Sequence, residues 1–226
     1  MKALSSLFVI LLFFPAALFS QPVDETLQKV SEAIADKRWD QAGNLFREAV
    51  SLDATKAEAY YQKEVQKTCE ACPSMAFELA TYYKANRNVE KAYTFYKELT
   101  ELVPHDVKYL SSCAELEVLR GNEQEALGLY QRILNIDKDN LAANIFVGNY
   151  YYFIADKEKG LLDKNYAKYK APTRMQYAQY HNQLEQIVIS DYAKAKTYLA
   201  KVLQLFPSTE IKKTLDKISQ VESIVK

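Results

Sequence analysis

Apolar positions along this chain recur at intervals of three and four residues, as they do on one face of an α-helix, and the helices they predict come in pairs. Residues 73–106 are followed without a gap by a second stretch of the same length, 107–140, giving a 34-residue period. Laying one over the other sets Ala80 on Ala114, Ala92 on Ala126, Phe95 on Leu129, Tyr96 on Tyr130, Leu99 on Ile133 and Leu102 on Ile136. Small falls on small and large on large. A single helix pair cannot bury its own apolar stripe and must stack on its neighbours, so the pattern predicts an all-α helical-hairpin solenoid.

Earlier in the chain, Leu27, Val30 and Ile34 share one helix face, residues 38–40 form a turn region that holds the lone Trp39, and Ala42, Leu45, Phe46, Ala49 and Leu52 form a second stripe. That stripe lies 50 residues before Ala92, Phe95, Tyr96, Leu99 and Leu102, so a unit at about 23–56 is followed by some 16 additional residues. This insert, 57–72, is rich in Ala, Glu, Lys and Gln and reads as an additional helix ending before Pro73. Within 73–106 the first helix buries Ala76, Leu79, Ala80 and Tyr83, the turn falls at 86–88, and Pro104 ends the second helix. The next unit repeats the plan with Leu110, Cys113 and Ala114, then a turn at Gly121 and Asn122.

The fourth unit, 141–208, is interrupted. Ala195, Tyr198, Leu199, Val202 and Leu205 lie 69 residues after Ala126, Leu129, Tyr130, Ile133 and Ile136, so about 35 residues separate the unit's two helices beyond the usual spacing. Ala171-Pro172-Thr173 divides this insert into two nearly equal helical arms, predicting a hairpin at about 156–190 that returns to a second helix starting near Asp191. Leu162, Tyr166 and Tyr169 on the outgoing arm face Tyr177, Tyr180, Leu184 and Ile187 on the return. A last amphipathic stretch, 209–225, with Ile211, Leu215, Ile218, Val221 and Ile224 inward, suits a cap on an open solenoid end.

The spacing of Leu79, Ala80, Tyr83, Ala92, Tyr96 and Pro104 resembles the tetratricopeptide repeat, whose pattern runs W-x2-L-G-x2-Y, then A-x3-F, then P. Gly148 and Tyr151 match its Gly and Tyr in the fourth unit. Ala76 and Leu110 stand where the family has tryptophan, and Glu117 replaces the tyrosine. The resemblance implies a right-handed superhelix whose first helices line a concave face. On that face it would place Phe77, Thr81 and Lys84, then Lys108, Ser111 and Glu115, then Ile145, Asn149 and Tyr152. This mixed aromatic and polar surface suits an extended peptide or a partner helix. The family's basic clamp for a peptide carboxylate is missing, since Phe77 and Thr81 replace its lysine and asparagine. The run Gly148-Asn149-Tyr150-Tyr151-Tyr152 and the return arm beginning Pro172-Thr173-Arg174 are also similar to exported tetratricopeptide proteins of the Bacteroidota, which implies an envelope protein and supplies no catalytic residue.

Composition narrows the picture. The 226 residues suffice for one domain, 21–226. Lys+Arg and Asp+Glu are equal at 29 each, so the basic excess of a nucleic-acid binder is missing. Seventeen tyrosines serve either as fillers between helices or as stacking platforms for a glycan or small molecule. Lys2, the apolar run 7–14 and the small residues up to Ser20 form a signal-peptide pattern cleaved after Ser20, with an apolar core too short to span a bilayer. The expectation is therefore an exported protein, periplasmic or associated with the outer envelope, without stable membrane insertion.

Candidate chemistry is sparse. Cys69 and Cys72 are either a structural disulfide or two thiols; a catalytic redox pair belongs in a βαβ setting that this chain does not predict. Cys113 sits at a core position. His105 and His181 have no Cys or His partner at ligand spacing, so no metal is expected. No phosphate loop or nucleophile motif is present, so the reading is a non-enzymatic scaffold needing no cofactor. The hairpin carries Lys157, Lys159, Lys164, Lys168, Lys170 and Arg174 against Asp156, Glu158, Asp163 and Glu185, an excess of two positive charges. Such charges most simply solvate a projecting helix pair, or else steer it toward an acidic partner or lipid headgroups.

Overall fold

The structure, a computed structural model, describes residues 22–65 and 70–225. The expected leader and Cys69 lie outside them, and with Cys69 the choice between a disulfide to Cys72 and two thiols. Among the described residues every regular element is helical. The chain divides into two compact units, one through Glu78 and one from Leu79, although the sequence reads as a single domain.

The first unit contains α1 (Pro22–Ala35), α2 (Trp39–Leu52), α3 (Ala54–Glu64) and the opening turns of α4 (Cys72–Ala85). Val23, Leu27, Val30 and Ala33 of α1 are buried, as are Ala42, Phe46, Ala49 and Val50 of α2. Helix α3 starts earlier and ends sooner than the 57–72 expected. Asp53 has extended backbone, and its carboxylate accepts from the Thr55 and Lys56 N–H groups, so a new helix is capped directly after α2. Its ring of Tyr61 lies 6.2 Å from Phe46, and its Lys56 donates to Asp24 at 3.0 Å. Pro73 opens α4 and does not follow a helix end, because a proline in the first turn forfeits only an N–H that would lack an intrahelical partner. Trp39, expected in a turn, is the first residue of α2.

The second unit continues α4 and adds α5 (Val89–Leu102), α6 (Val107–Leu119), α7 (Glu123–Ile136), α8 (Leu141–Tyr166), α9 (Arg174–Ile187), a π turn (Val188–Tyr192), α10 (Ala193–Leu205) and α11 (Thr209–Val225). The sequence period is kept to the residue. Phe46, Tyr96 and Tyr130 are each the eighth residue of a helix 14 residues long, and all three are buried. Each turn between paired helices contains one residue in the left-handed region: Lys37 (φ 57°), Arg87 (φ 57°) and Gly121 (φ 79°). The same backbone bonds close all three. In the last, Gly121 N–H donates to Val118 and Asn122 N–H to Glu117. Asp106 then caps α6 and Asn140 caps α8 through their side chains.

Ala155 stands where the next such turn would recur, 34 residues after Gly121, yet it is helical and fully buried. Helix formers follow it, so α8 runs on to Tyr166. The chain reverses at 167–173, and a Thr173–Gln176 capping box starts α9. The second helix of this unit, expected to start near Asp191, is α10 from Ala193, and α9 leads into it through the π turn without a loop. Across this wider turn Ile187, Val188, Tyr192, Ala195 and Leu199 join a single buried cluster. Gly148 makes close packing possible there, because a Cβ on it would lie 2.7 Å from Leu199 Cδ2. Helix α11 covers the end with Ile211 and Ile218 buried, whereas Ile224, expected inward, is 49% exposed.

Candidate functional site

One face of α8 is left open beside α7. Ala142, Ile145, Phe146, Asn149, Tyr150 and Phe153 recur at helical spacing and, with Glu123 and Tyr130 of α7, line a cavity of about 470 Å³. A second hollow of about 440 Å³ shares Glu123, Tyr150 and Phe153 and extends to Ile154 and Lys157, so the two form one trough. Stacked rings line its inner wall: Tyr130 to Phe146 at 4.4 Å and Phe146 to Tyr150 at 6.2 Å between centroids. Phe153 is 66% exposed at the outer end.

Three successive tyrosines, Tyr150, Tyr151 and Tyr152, reach different surroundings because each helical residue turns about 100° from the last. Tyr150 enters the trough. Tyr151 stacks on Tyr198 at 6.5 Å and carries Lys194 over its face at 4.7 Å. Tyr152 turns to Tyr192 and a separate cleft with Asp156, Lys159 and Lys217. Burial, and then the Asp156 carboxylate, raises the phenol pKa of both Tyr152 and Tyr192.

The nine residues expected on the concave face are thus dispersed. Ile145 and Asn149 line the trough, and Tyr152 does not. Lys84 donates to Glu115 at 2.7 Å and lies 5.7 Å from the Tyr96 ring, joining the first helices of two successive pairs. Thr81 and Lys108 are exposed, Ser111 is half-buried, and Phe77, half-buried, falls in the first unit. Glu123, Tyr130, Phe146, Tyr150 and Phe153 were not among the expected residues. The i, i+3, i+4 spacing from Asn149 points to Phe146 and Phe153, and from Phe146 to Tyr150, but the α7 wall emerges only when the helices are packed.

A polar cluster holds the neighbouring pair. Glu117, at the repeat's tyrosine position, is 3% exposed and accepts from Arg120 at 2.9 Å and Asn122 at 2.8 Å. The Arg120 guanidinium lies 3.9 Å from the Tyr93 ring centroid and also donates to Glu90. Burial pushes the Glu117 carboxyl up, but hydrogen bonds from Tyr93 and Asn122 and the nearby Arg120 outweigh it and hold it below its ordinary value. Cys113 beside it is buried, and desolvation followed by the Glu117 charge raises its thiol pKa to about 11. That is the reverse of a reactive thiol. Among the described residues no cluster of three or more His, Cys, Asp or Glu could hold a metal ion, and no helix is long and apolar enough to cross a membrane.

No protein-family model matches the chain, and no curated protein matches it. Among solved structures, it is 48% identical to a Bacteroides ovatus protein provisionally described as protein-binding, over 91% of this chain and 100% of that one, with a TM-score of 0.75. It is 15% identical to a TPR repeats protein from Bacteroides fragilis, over 89% and 99% of the two chains, with a TM-score of 0.48. Kinship rests on the first of these alone.

Proposed function

Because the chain belongs to the tetratricopeptide repeat family, we propose that it is a protein-interaction scaffold that takes a peptide segment of its partner along the trough beside α8. The carrying observation is the cavity itself, in which Ile145, Phe146 and Tyr150 offer apolar contact next to the carboxylate of Glu123. Such a trough accepts a segment with one or two large apolar anchors. Glu123 and Glu125 at one side and Lys157 at the other favour a basic residue near the first and an acidic one near the second. The description of the Bacteroides ovatus relative as protein-binding supports the same reading.

The test is selection of peptides from a displayed library against the protein, followed by affinity measurement on Tyr150→Ala/Phe153→Ala. Anchor residues of this kind carry roughly 2 kcal/mol or more, so the selected peptides should weaken by about 30-fold. Equal binding to the double variant would remove the trough from the interaction. A glycan or small molecule is the second reading, favoured by the exposed Phe153 ring beside the polar Asn149 and Glu123. Thermal stabilisation by oligosaccharides and by no peptide would establish that one instead.

We place the protein in the cell envelope on the strength of Lys2, the apolar run 7–14 and the small residues ending at Ser20. Cell fractionation with amino-terminal sequencing checks this: the envelope form should begin at Gln21, and an intact Met1 in the cytoplasmic fraction would refute it.

A further inference from the structure

The far end of the hairpin formed by the second half of α8 and by α9 combines features that the trough does not use. Although basic and acidic residues balance over the whole chain, no Asp or Glu occurs between Asp163 and Glu185, while Lys164, Lys168, Lys170 and Arg174 all fall there. Asp163 does little to offset them. One of its oxygens accepts from Lys159 at 2.6 Å and the other from the Tyr180 hydroxyl at 2.9 Å. Lys168 donates to Asn165, an uncharged partner, at 2.9 Å. Among these cations stand large apolar side chains turned outward: Tyr169 is 49% exposed, Met175 72% and Tyr177 54%. The tip is held in shape from below, where Tyr166 and Tyr180 stack at 4.4 Å.

We propose that this tip is a docking point for the surface of an anionic lipid bilayer. Charge complementarity selects the anionic headgroups, and the exposed Tyr and Met side chains suit the zone between headgroup and acyl chain, where amphipathic rings and thioethers lose unfavourable contact with water. Shape separates this occupant from an acidic protein. A stable protein interface covers about 800 Å² on each partner, and a chain reversal between two helices offers one narrow convex end. The contact is peripheral, since no described helix can cross a membrane. It leaves the trough free for its own ligand and does not depend on the reading of that trough.

The test is flotation with vesicles, using protein that begins at Gln21. This form retains every described helix and lacks the apolar run 7–14, which could bind lipid by itself. Vesicles of equal parts phosphatidylcholine and phosphatidylglycerol should carry the protein, and vesicles of phosphatidylcholine alone should not. Each cation close to an anionic surface contributes roughly a factor of five, so Lys168→Glu/Lys170→Glu/Arg174→Glu should weaken binding by on the order of 100-fold or more. Tyr169→Ser/Met175→Ser should weaken it by about 10-fold or more, through lost apolar burial. Both variants alter exposed side chains, and helical circular dichroism and melting confirm that they fold; a variant that does not is replaced by the corresponding single substitutions. The proposal is overturned by equal binding to the two vesicle types, by unchanged binding of the charge-reversed tip, by absence of vesicle binding, or by capture on polyglutamate without capture by vesicles.

Discussion

Adding a single methyl group at each helical glycine should produce opposite effects that the packing decides. At Gly148 the new Cβ would meet Leu199 Cδ2 at 2.7 Å, Cγ at 2.8 Å and the backbone nitrogen at 3.3 Å. Leu199 is fully buried, so its side chain has nowhere to swing, and the backbone atom resists any approach. Overpacking of this kind costs about 1–3 kcal/mol, against about 1 kcal/mol regained by replacing glycine inside a helix. The net expectation for Gly148→Ala is a loss of up to about 2 kcal/mol, or a melting temperature lower by up to roughly 8 °C in a chain of this size. Gly128 and Gly160 are also helical, but nothing lies within 4 Å of their added Cβ atoms. Gly128→Ala and Gly160→Ala should therefore stabilise, each raising the melting temperature by about 2–4 °C. Gly43 is intermediate, since the atom in the way at 2.6 Å is the Ser74 hydroxyl, which can rotate. Thermal unfolding followed by circular dichroism on the four variants gives the comparison. A Gly148→Ala protein that melts as high as Gly160→Ala would refute the close approach of α8 and α10.

Three further outcomes follow from the polar groups. The Glu117 carboxyl is held below its ordinary value in the folded state, so its contribution is present above the unfolded pKa of about 4.3 and lost as pH falls through the lower folded value. Glu117→Gln should cost about 1–3 kcal/mol at neutral pH and should flatten the acid limb of a urea-midpoint profile; an unchanged limb would contradict the assignment. Tyr180 has its phenol pushed up to about 12 by burial and by its bond to Asp163. Its stabilisation is therefore complete below about 10, the unfolded value, and disappears as pH rises through about 12; Tyr180→Phe should remove that alkaline component and one late-titrating phenol from the ultraviolet titration. Cys113, buried and with its thiol raised to about 11, should resist alkylation in the native protein and react on unfolding, as read by mass spectrometry of its peptide.

The repeat was legible because its signals are local. Ala80 against Ala114 and Tyr96 against Tyr130 mark the same helix face one period apart, and the structure gives the two tyrosines the same position in helices of equal length. The turn at Gly121 and the reversal around Pro172 were equally legible, since a left-handed residue and a proline act on their own backbone. Capping was less so: Asp53 starts α3 only because the backbone there is extended and its carboxylate accepts from the Thr55 and Lys56 N–H groups. The candidate site was legible by half. Ile145 and Asn149 follow from the repeat, but Tyr152 has the same spacing and still reaches a different cleft, because Tyr192 attracts it from a segment 40 residues away in sequence.

By itself, then, the sequence determined the helices, their pairing period and the presence of a projecting hairpin, all of which depend on side-chain rhythm and backbone preference within a few residues. Only the tertiary structure decided which faces those helices leave open. It carried α8 past Ala155 without a turn, led the return arm through a π turn into α10, and set Glu123 and Tyr130 beside Phe146 to make a trough. Each of these depends on how side chains distant in the chain fill shared space, and that complementarity has no period from which it could be read.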